Sequence, residues 1–244
     1  MSVLIILYQY IIDKSRQKEG VFILRQIRLI ITVFLATLAA FYAGQPLDVF
    51  ASTFSVHKKI IVIDAGHGGW DPGKVGKNDI LEANINLAIA EDLQVLLDLA
   101  GATVFMTRAQ DVALGDTKNT DLAARTAMPT DMQADIFVSI HQNAYHTSNV
   151  SGAQTFYYGD SQQSKLLAES IQARLRSFLD TENRKEAKSN EDYYLLKKTQ
   201  TPAVIVECGF LTNEEESQKL SRQDYQEKVA WGIYMGILDY YTIE

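Results

Sequence analysis

A single cysteine, Cys208, stands in the 244-residue chain, so no intramolecular disulfide can form. Cys208 lies in an apolar stretch, where a small buried side chain is the expected role. Basic charge is also in short supply. Lysine and arginine number 23 against 30 aspartates and glutamates, a formal net charge of -7. That argues against electrostatic binding to nucleic acid, which needs a basic stripe, and leaves a neutral or mixed-charge polymer open as a ligand. The uncharged run Leu29 to Ala43 falls short of the ~18 apolar residues that make a membrane span evident. Internal repeats and low-complexity segments are lacking too, and no second binding module is expected after the main domain.

What remains is ordinary globular composition, with 47% hydrophobic and 22% charged residues. The length suits one α/β domain with a tail. The tail is residues 1–54. Arg25 and Arg28 stand just before the apolar run Leu29–Ala43, and Lys14, Arg16 and Lys18 lie upstream. Basic flank, apolar centre and small residues form the pattern of an export signal or a short uncleaved anchor, with Val49-Phe50-Ala51 as a cleavage site. The basic side stays in the cytoplasm, so everything after the run goes outside. Residues 1–20 fit less well, because MSVLIILYQYII is a second apolar stretch. A later start, at Val21 or Leu24, is one account of it.

From about Lys58, strand and helix signals alternate. Lys59–Asp64 reads as a strand that ends on Ala-Gly-His-Gly-Gly. Ile80–Leu99 reads as a helix, with Ile85, Ile89, Leu93 and Leu96 on one face. Thr103–Thr107 is the next strand, Leu122–Met132 a helix, Asp135–His141 a strand and Gln154–Tyr158 another. Ser164–Leu179 is a helix with Leu167, Ile171, Leu175 and Phe178 on one side. The polar stretch Asp180–Asp192 is a loop or mobile flap. Ala203–Cys208 is a strand, and Tyr225–Tyr241 is the closing helix. This alternation predicts one α/β domain over 55–244, a mainly parallel twisted sheet with helices on both faces. Near-continuous apolar strands agree with burial on both sides.

In such sheets functional groups gather at the carboxyl ends of strands. His67 follows the first strand, His141 ends the strand DIFVSI and Glu207 ends AVIV, while Glu82 opens the first long helix. Two imidazoles and a carboxylate make a catalytic zinc set that leaves a position for water. Glu207 would then take the proton from that water and return it to a leaving amine. Plainer readings compete. His67 in a glycine-rich loop is also read as a solvated turn residue, and His141 as a hydrogen-bonded structural histidine. Asp79 to Glu82 spells a capping box, with Asp79 at N-cap and Glu82 at N3, and spacing alone favours that cap. His57 and His146 read as solvated.

The motifs taken together are more specific. Ile63-Asp64-Ala65-Gly66-His67-Gly68-Gly69 with Asp71-Pro72-Gly73 opens the set. Thr107-Arg108, Leu122 with Arg125, Ala134-Asp135, Ser139-Ile140-His141 and Asn143-Ala144 come next in order. Pro202-Ala203, Glu207, Gly209-Phe210-Leu211 and Asn213 close it. In this order they resemble the zinc-dependent N-acetylmuramoyl-L-alanine amidases of the Amidase_3 type, over about Lys58 to Tyr241. The resemblance implies zinc on His67, Glu82 and His141, with Glu207 as the catalytic glutamate. It also implies hydrolysis of the amide joining N-acetylmuramic acid to L-alanine in peptidoglycan. Three positions depart from the family: Ala83 for a basic residue, Gln142 for alanine and Cys208 for a small or aliphatic one. Ala83 and Gln142 are expected to alter substrate contacts. An N-terminal apolar segment joined directly to one catalytic domain is similar to the spore-cortex, germination-specific amidases. Peptidoglycan is the implied partner, with the membrane added if the N-terminal segment stays uncleaved, and an accessory protein is left unspecified. Another zinc peptidase of wall peptides and a non-catalytic wall-binding module are the alternatives. The second predicts loss of Glu207 or a ligand, and all four residues are present.

Overall fold

The computed structural model describes residues 55–243, together with Thr32 and Val33. The tail predicted over 1–54, with its apolar run, lies outside the described residues apart from those two. No helix among the described residues is long and apolar enough to cross a membrane.

Six strands form one sheet in the order β2-β1-β3-β6-β4-β5. They are β1 (Ile60–Ala65), β2 (Thr103–Met106), β3 (Ile136–Asn143), β4 (Gln154–Tyr157), β5 (Lys188–Ser189) and β6 (Ala203–Phe210). The helices are α1 (Glu82–Leu99), α2 (Lys118–Asp131), α3 (Gln162–Leu179), α4 (Tyr194–Lys198), α5 (Glu214–Leu220) and α6 (Gln223–Ile243). The sheet is mixed. Four strand pairs are parallel, but β4 runs antiparallel to β6. The reason lies in the connection. No helix separates β3 from β4, and a parallel return needs a crossover of a dozen or more residues.

Successive strand residues point to opposite faces. Ile61, Ile63, Val138, Ile140, Val204 and Val206 face the larger core beneath α1, α3 and α6. Ile85, Ile89 and Leu93 of α1 meet them as the helical period requires, with Leu97 the fully buried residue of the last turn and Leu96 only half-buried. On α3, Leu167, Ile171 and Leu175 are buried, but Phe178 is exposed and Leu179 packs on the core instead. Each fully buried Leu or Ile contributes roughly 1.5–3 kcal/mol relative to exposure. The opposite face of the sheet carries a smaller cluster, Val62, Phe137, Phe156, Ala203 and Ile205, closed by Leu195 and Leu196 of α4. That face also turns Asp64, Ser139, His141 and Glu207 inward, because each shares the odd-even phase of an apolar neighbour on it.

The stretch read as a loop or flap contains β5, paired with β4, and leads into α4. Two register pairs position the polar groups of this face. Asp64 lies opposite Ser139, and His141 lies opposite Glu207.

Candidate metal centre

The loop after β1 is built around His67, which adopts a left-handed backbone with φ 62°. A non-glycine residue in that region is uncommon and persists only where its surroundings hold it. The hold comes from two arginines. The guanidinium of Arg125 donates to the carbonyls of Ala65 at 2.8 Å and His67 at 2.7 Å. Arg108 donates to the carbonyls of Ala65 at 2.8 Å, Gly66 at 3.1 Å and Ala83 at 2.8 Å, which ties the loop to the start of α1. Beneath them Asp64 is fully buried. It accepts from Arg125 and Thr107, each at 2.7 Å, and from Ser139. Burial would push the Asp64 carboxyl up, but Arg125 and the two hydroxyls hold it below the usual carboxylate range. The motif residues Thr107, Arg108, Arg125 and Ser139 are thus one buried scaffold under His67.

Glu82 sits at the first position of α1, after Leu81 as N-cap. The capping box expected from Asp79 and Glu82 is absent. Asp79 belongs to a 3-10 turn, Lys77–Asp79, and has φ 58°, so its side chain is not placed to cap α1. Glu82 is free for another task. It is buried, with 4% exposure, and its Oε1 lies 3.2 Å from His67 Nε2 and 3.0 Å from His141 Nδ1. The backbone N–H of Gln142 donates to Oε1 at 3.1 Å and that of Lys74 to Oε2 at 2.8 Å. Burial opposes its ionisation, yet hydrogen bonds from the two histidines hold its carboxyl far below the usual range.

The donor atoms of His67, Glu82 and His141 all lie within 4.8 Å of one another. Ligands about 2.0–2.1 Å from a tetrahedral zinc are separated by about 3.3 Å. The two histidine–glutamate separations, 3.0 and 3.2 Å, are close to that edge. Asp71 accepts from His67 Nδ1 at 2.8 Å, which leaves Nε2 to face Glu82. A carboxylate orienting a ligand histidine is the usual support of a metal site. Burial lowers the His67 pKa, but Glu82 and Asp71 outweigh it and raise it to about 9. By geometry and donor chemistry these residues fit a divalent cation of the zinc type. Close approach is permitted by Gly66 and Gly73. A Cβ on Gly66 would overlap the His141 ring, and one on Gly73, with φ 67°, would crowd Glu82 and His67.

Glu207 faces the same space from β6, one strand over from His141. It is buried, and its Oε2 has no hydrogen-bond partner among the described residues. Burial, with the nearby Glu82 charge adding to it, lifts its pKa to about 7 against the pull of His141 and His67. The Tyr193 hydroxyl lies near this carboxylate and, like the two histidines, favours its charged form. Tyr193 is held as N-cap of α4, donating its N–H to Asn190 Oδ1 at 3.0 Å.

All four residues predicted for the site converge. His57 and His146 are exposed, as expected. Three supporting residues had no sequence reading of their own: Asp71, Tyr193 and Asn86, which is buried on α1 and donates to Gly66 O at 3.1 Å. Asp71 carries a findable signal, a carboxylate four residues from a candidate ligand. Tyr193, in front of a five-residue helix, carries none. Two expectations are corrected. Gln142 and Ala83 do not reach substrate, because both are buried, with 3% and 1% exposure. Gln142 instead donates to Asn86 Oδ1 at 3.0 Å, behind Glu82.

A family profile described as N-acetylmuramoyl-L-alanine amidase matches residues 61–239. The germination-specific N-acetylmuramoyl-L-alanine amidase of Bacillus subtilis is 39% identical over 192 residues, 75% of this chain and 80% of that protein. The CwlD amidase of Clostridioides difficile, solved in complex with the GerS lipoprotein, is 42% identical. It covers 77% of this chain and 100% of its own, with a TM-score of 0.74. A second amidase structure, from Clostridium difficile 630, is 31% identical over 75% of this chain and 97% of its own, with a TM-score of 0.69.

Proposed function

Because the chain belongs to the N-acetylmuramoyl-L-alanine amidase family of cell-wall hydrolases, we propose that His67, Glu82 and His141 hold its zinc and that Glu207 handles the protons of its reaction. The substrate bond is the amide between N-acetylmuramic acid and L-alanine in peptidoglycan. The observation that carries the assignment is the contrast between two carboxylates around one pair of imidazoles. Glu82 is saturated with donors and held ionised, as a ligand must be. Glu207 keeps a bare buried oxygen and a pKa of about 7. Environments that drive two neighbouring carboxyls apart divide the roles between them.

Bound zinc supplies a Lewis acid for the amide carbonyl and for water. The protein supplies the rest. Asp71 fixes the His67 tautomer. The Arg108 and Arg125 scaffold fixes the loop. Glu207 accepts a proton from the attacking water at its unpartnered oxygen and passes it to the departing L-alanine nitrogen, so that the amine leaves neutral. The reaction takes place outside the cytoplasm, with residues 1–54 as export signal or anchor. The germination-specific name of the Bacillus relative supports a role in the spore cortex.

Two variants test the division. Glu82→Ala loses zinc and activity together. Glu207→Gln keeps zinc, while hydrolysis of purified walls falls by roughly 10²–10⁴-fold. Mass spectrometry of the products separates free muramic acid ends from peptide–peptide cleavage. A Glu207→Gln protein that stays fully active would remove Glu207 from the chemistry.

A further inference from the structure

Beside Glu82 a groove of about 380 Å³ opens between two loops. One wall is Lys74 to Lys77, the other is Tyr145 to Ser148, and Leu211 and Thr212 form the floor. The volume falls in the lower part of the range of small-ligand sites, about 300–1,000 Å³. The walls are fixed. Lys74 pairs with Glu82 through both backbone groups: its N–H donates to the carboxylate at 2.8 Å and its carbonyl accepts from Glu82 N at 3.0 Å. Val75 bridges to Leu81, and Gly76 N–H donates to Ile80 O at 2.8 Å. Across the groove, Tyr145 N–H donates to Thr212 Oγ1 at 3.0 Å, and Asn213 donates to Ser148 O at 3.0 Å. The rings of Tyr145 and His146 pack at 4.1 Å between centroids.

The charged side chains of the lining are both lysines. Lys74, Lys77 and His146 line the groove, and no carboxylate does. Lys77 is already paired, with Glu214 at 2.5 Å. Lys74 has no carboxylate within ion-pair reach among the described residues. In a chain of net charge -7, an unpaired ammonium and an imidazole lining a fixed cleft beside the reacting centre call for an anionic ligand.

We propose that this groove binds the peptide portion of the substrate and selects stems whose residues beyond L-alanine carry free carboxylates, with Lys74 and His146 as the recognising groups. The inference rests on the amidase assignment for the identity of the peptide. The groove adjoins Glu82 through Lys74, so a peptide leaving the reacting amide along it places its first side carboxylates against Lys74. Tyr145 gives that peptide an apolar surface to lie on, since it is half exposed at 50%.

The test uses the full chain and two N-acetylmuramoyl-peptides that differ only in having free or amidated side carboxylates. The expected wild-type kcat/KM favours the acid by roughly five- to tenfold, the size of one or two partly shielded charge pairs. Lys74→Met and Lys74→Met with His146→Ala bring that ratio towards one, while Lys74→Arg keeps it. The ratio is independent of any overall loss of rate. Calorimetric binding of the same pair to Glu207→Gln needs no turnover. If the acid binds preferentially there but the wild type cleaves neither compound, the groove stands and the amidase assignment fails. If both are cleaved equally by the wild type, or the preference survives Lys74→Met, the groove assignment is overturned and the amidase assignment stands.

Discussion

Arg125→Met is the substitution whose cost the structure states most directly. Arg125 is 2% exposed and Asp64 0%. Their ion pair is 2.7 Å long, and Arg125 also grips Asp121 at 2.7 Å and the carbonyls of Ala65 and His67. Methionine fills much of the space and restores none of these bonds. Asp64 is left with the hydroxyls of Thr107 and Ser139. Breaking a buried pair from one side costs about 3–5 kcal/mol. At about 2–4 °C per kcal/mol for a domain of this size, melting falls by roughly 6–20 °C at pH 7. The sign of the pH dependence is fixed as well. In the wild type the Asp64 pKa is depressed, so its contribution is present above the unfolded value and lost as pH falls through the folded one. In the variant burial is unopposed and Asp64 protonates more readily, which removes its penalty in acid. The stability gap between the two proteins therefore narrows as pH falls. Asp64→Asn in the Arg125→Met background removes the stranded charge and recovers part of the loss. Because Arg125 also holds the His67 carbonyl, zinc affinity drops by roughly 10–100-fold, the size expected of a supporting residue. Thermal melts at several pH values and a competitive chelator titration read both effects. An Arg125→Met protein that melts within about 2 °C of the wild type at pH 7 would refute the buried-pair account.

Two other changes probe the site from different sides. Gly66→Ala forces the His141 ring away from Glu82, at an overpacking cost of about 1–3 kcal/mol; zinc binding is lost in a protein whose circular dichroism stays native. Glu207→Gln stabilises the metal-free protein. The buried carboxyl titrates at about 7 instead of 4.5, so the wild type loses stability as pH rises through that window, on the order of 3 kcal/mol, and glutamine does not. Urea unfolding in the presence of chelator should show the two proteins alike near pH 4 and diverging by pH 8, and equal curves at pH 8 would mean that Glu207 is not effectively buried.

The long elements were legible because each carries several repeats of its period: α1 with Ile85, Ile89 and Leu93, α3 with Leu167, Ile171 and Leu175, and the apolar runs of β1, β3 and β6. Helices α4 and α5, with five and seven residues, offer at most two turns, too few for a period to appear. The antiparallel β4 had a readable cause that composition alone does not flag, the lack of a helical pattern between Asn143 and Gln154. The cap at Asp79 failed for a conformational reason. A capping box assumes an extended N-cap backbone, and Asp79 instead turns through φ 58°. Local pattern singled out Glu82 for a cap that the structure does not form. Only the strand order, with β1 and β6 on either side of β3, brings His67 and Glu207 to the flanks of His141.

Gln142 shows how a departure from the family acts where no substrate reaches it. Sequence marks it as unusual beside a ligand histidine, and such a residue invites a substrate role. Strand alternation forbids that role. His141 faces the site, so Gln142 faces the opposite core. There it donates to Asn86, whose amide in turn reaches Gly66 O at 3.1 Å and Glu82 Oε1 at 3.4 Å. The substituted residue therefore bears on Glu82 from behind the sheet. Specificity has to be written in residues that the strands do not constrain, and those are the loop residues Lys74 and His146, in which the sequence alone shows no functional signal.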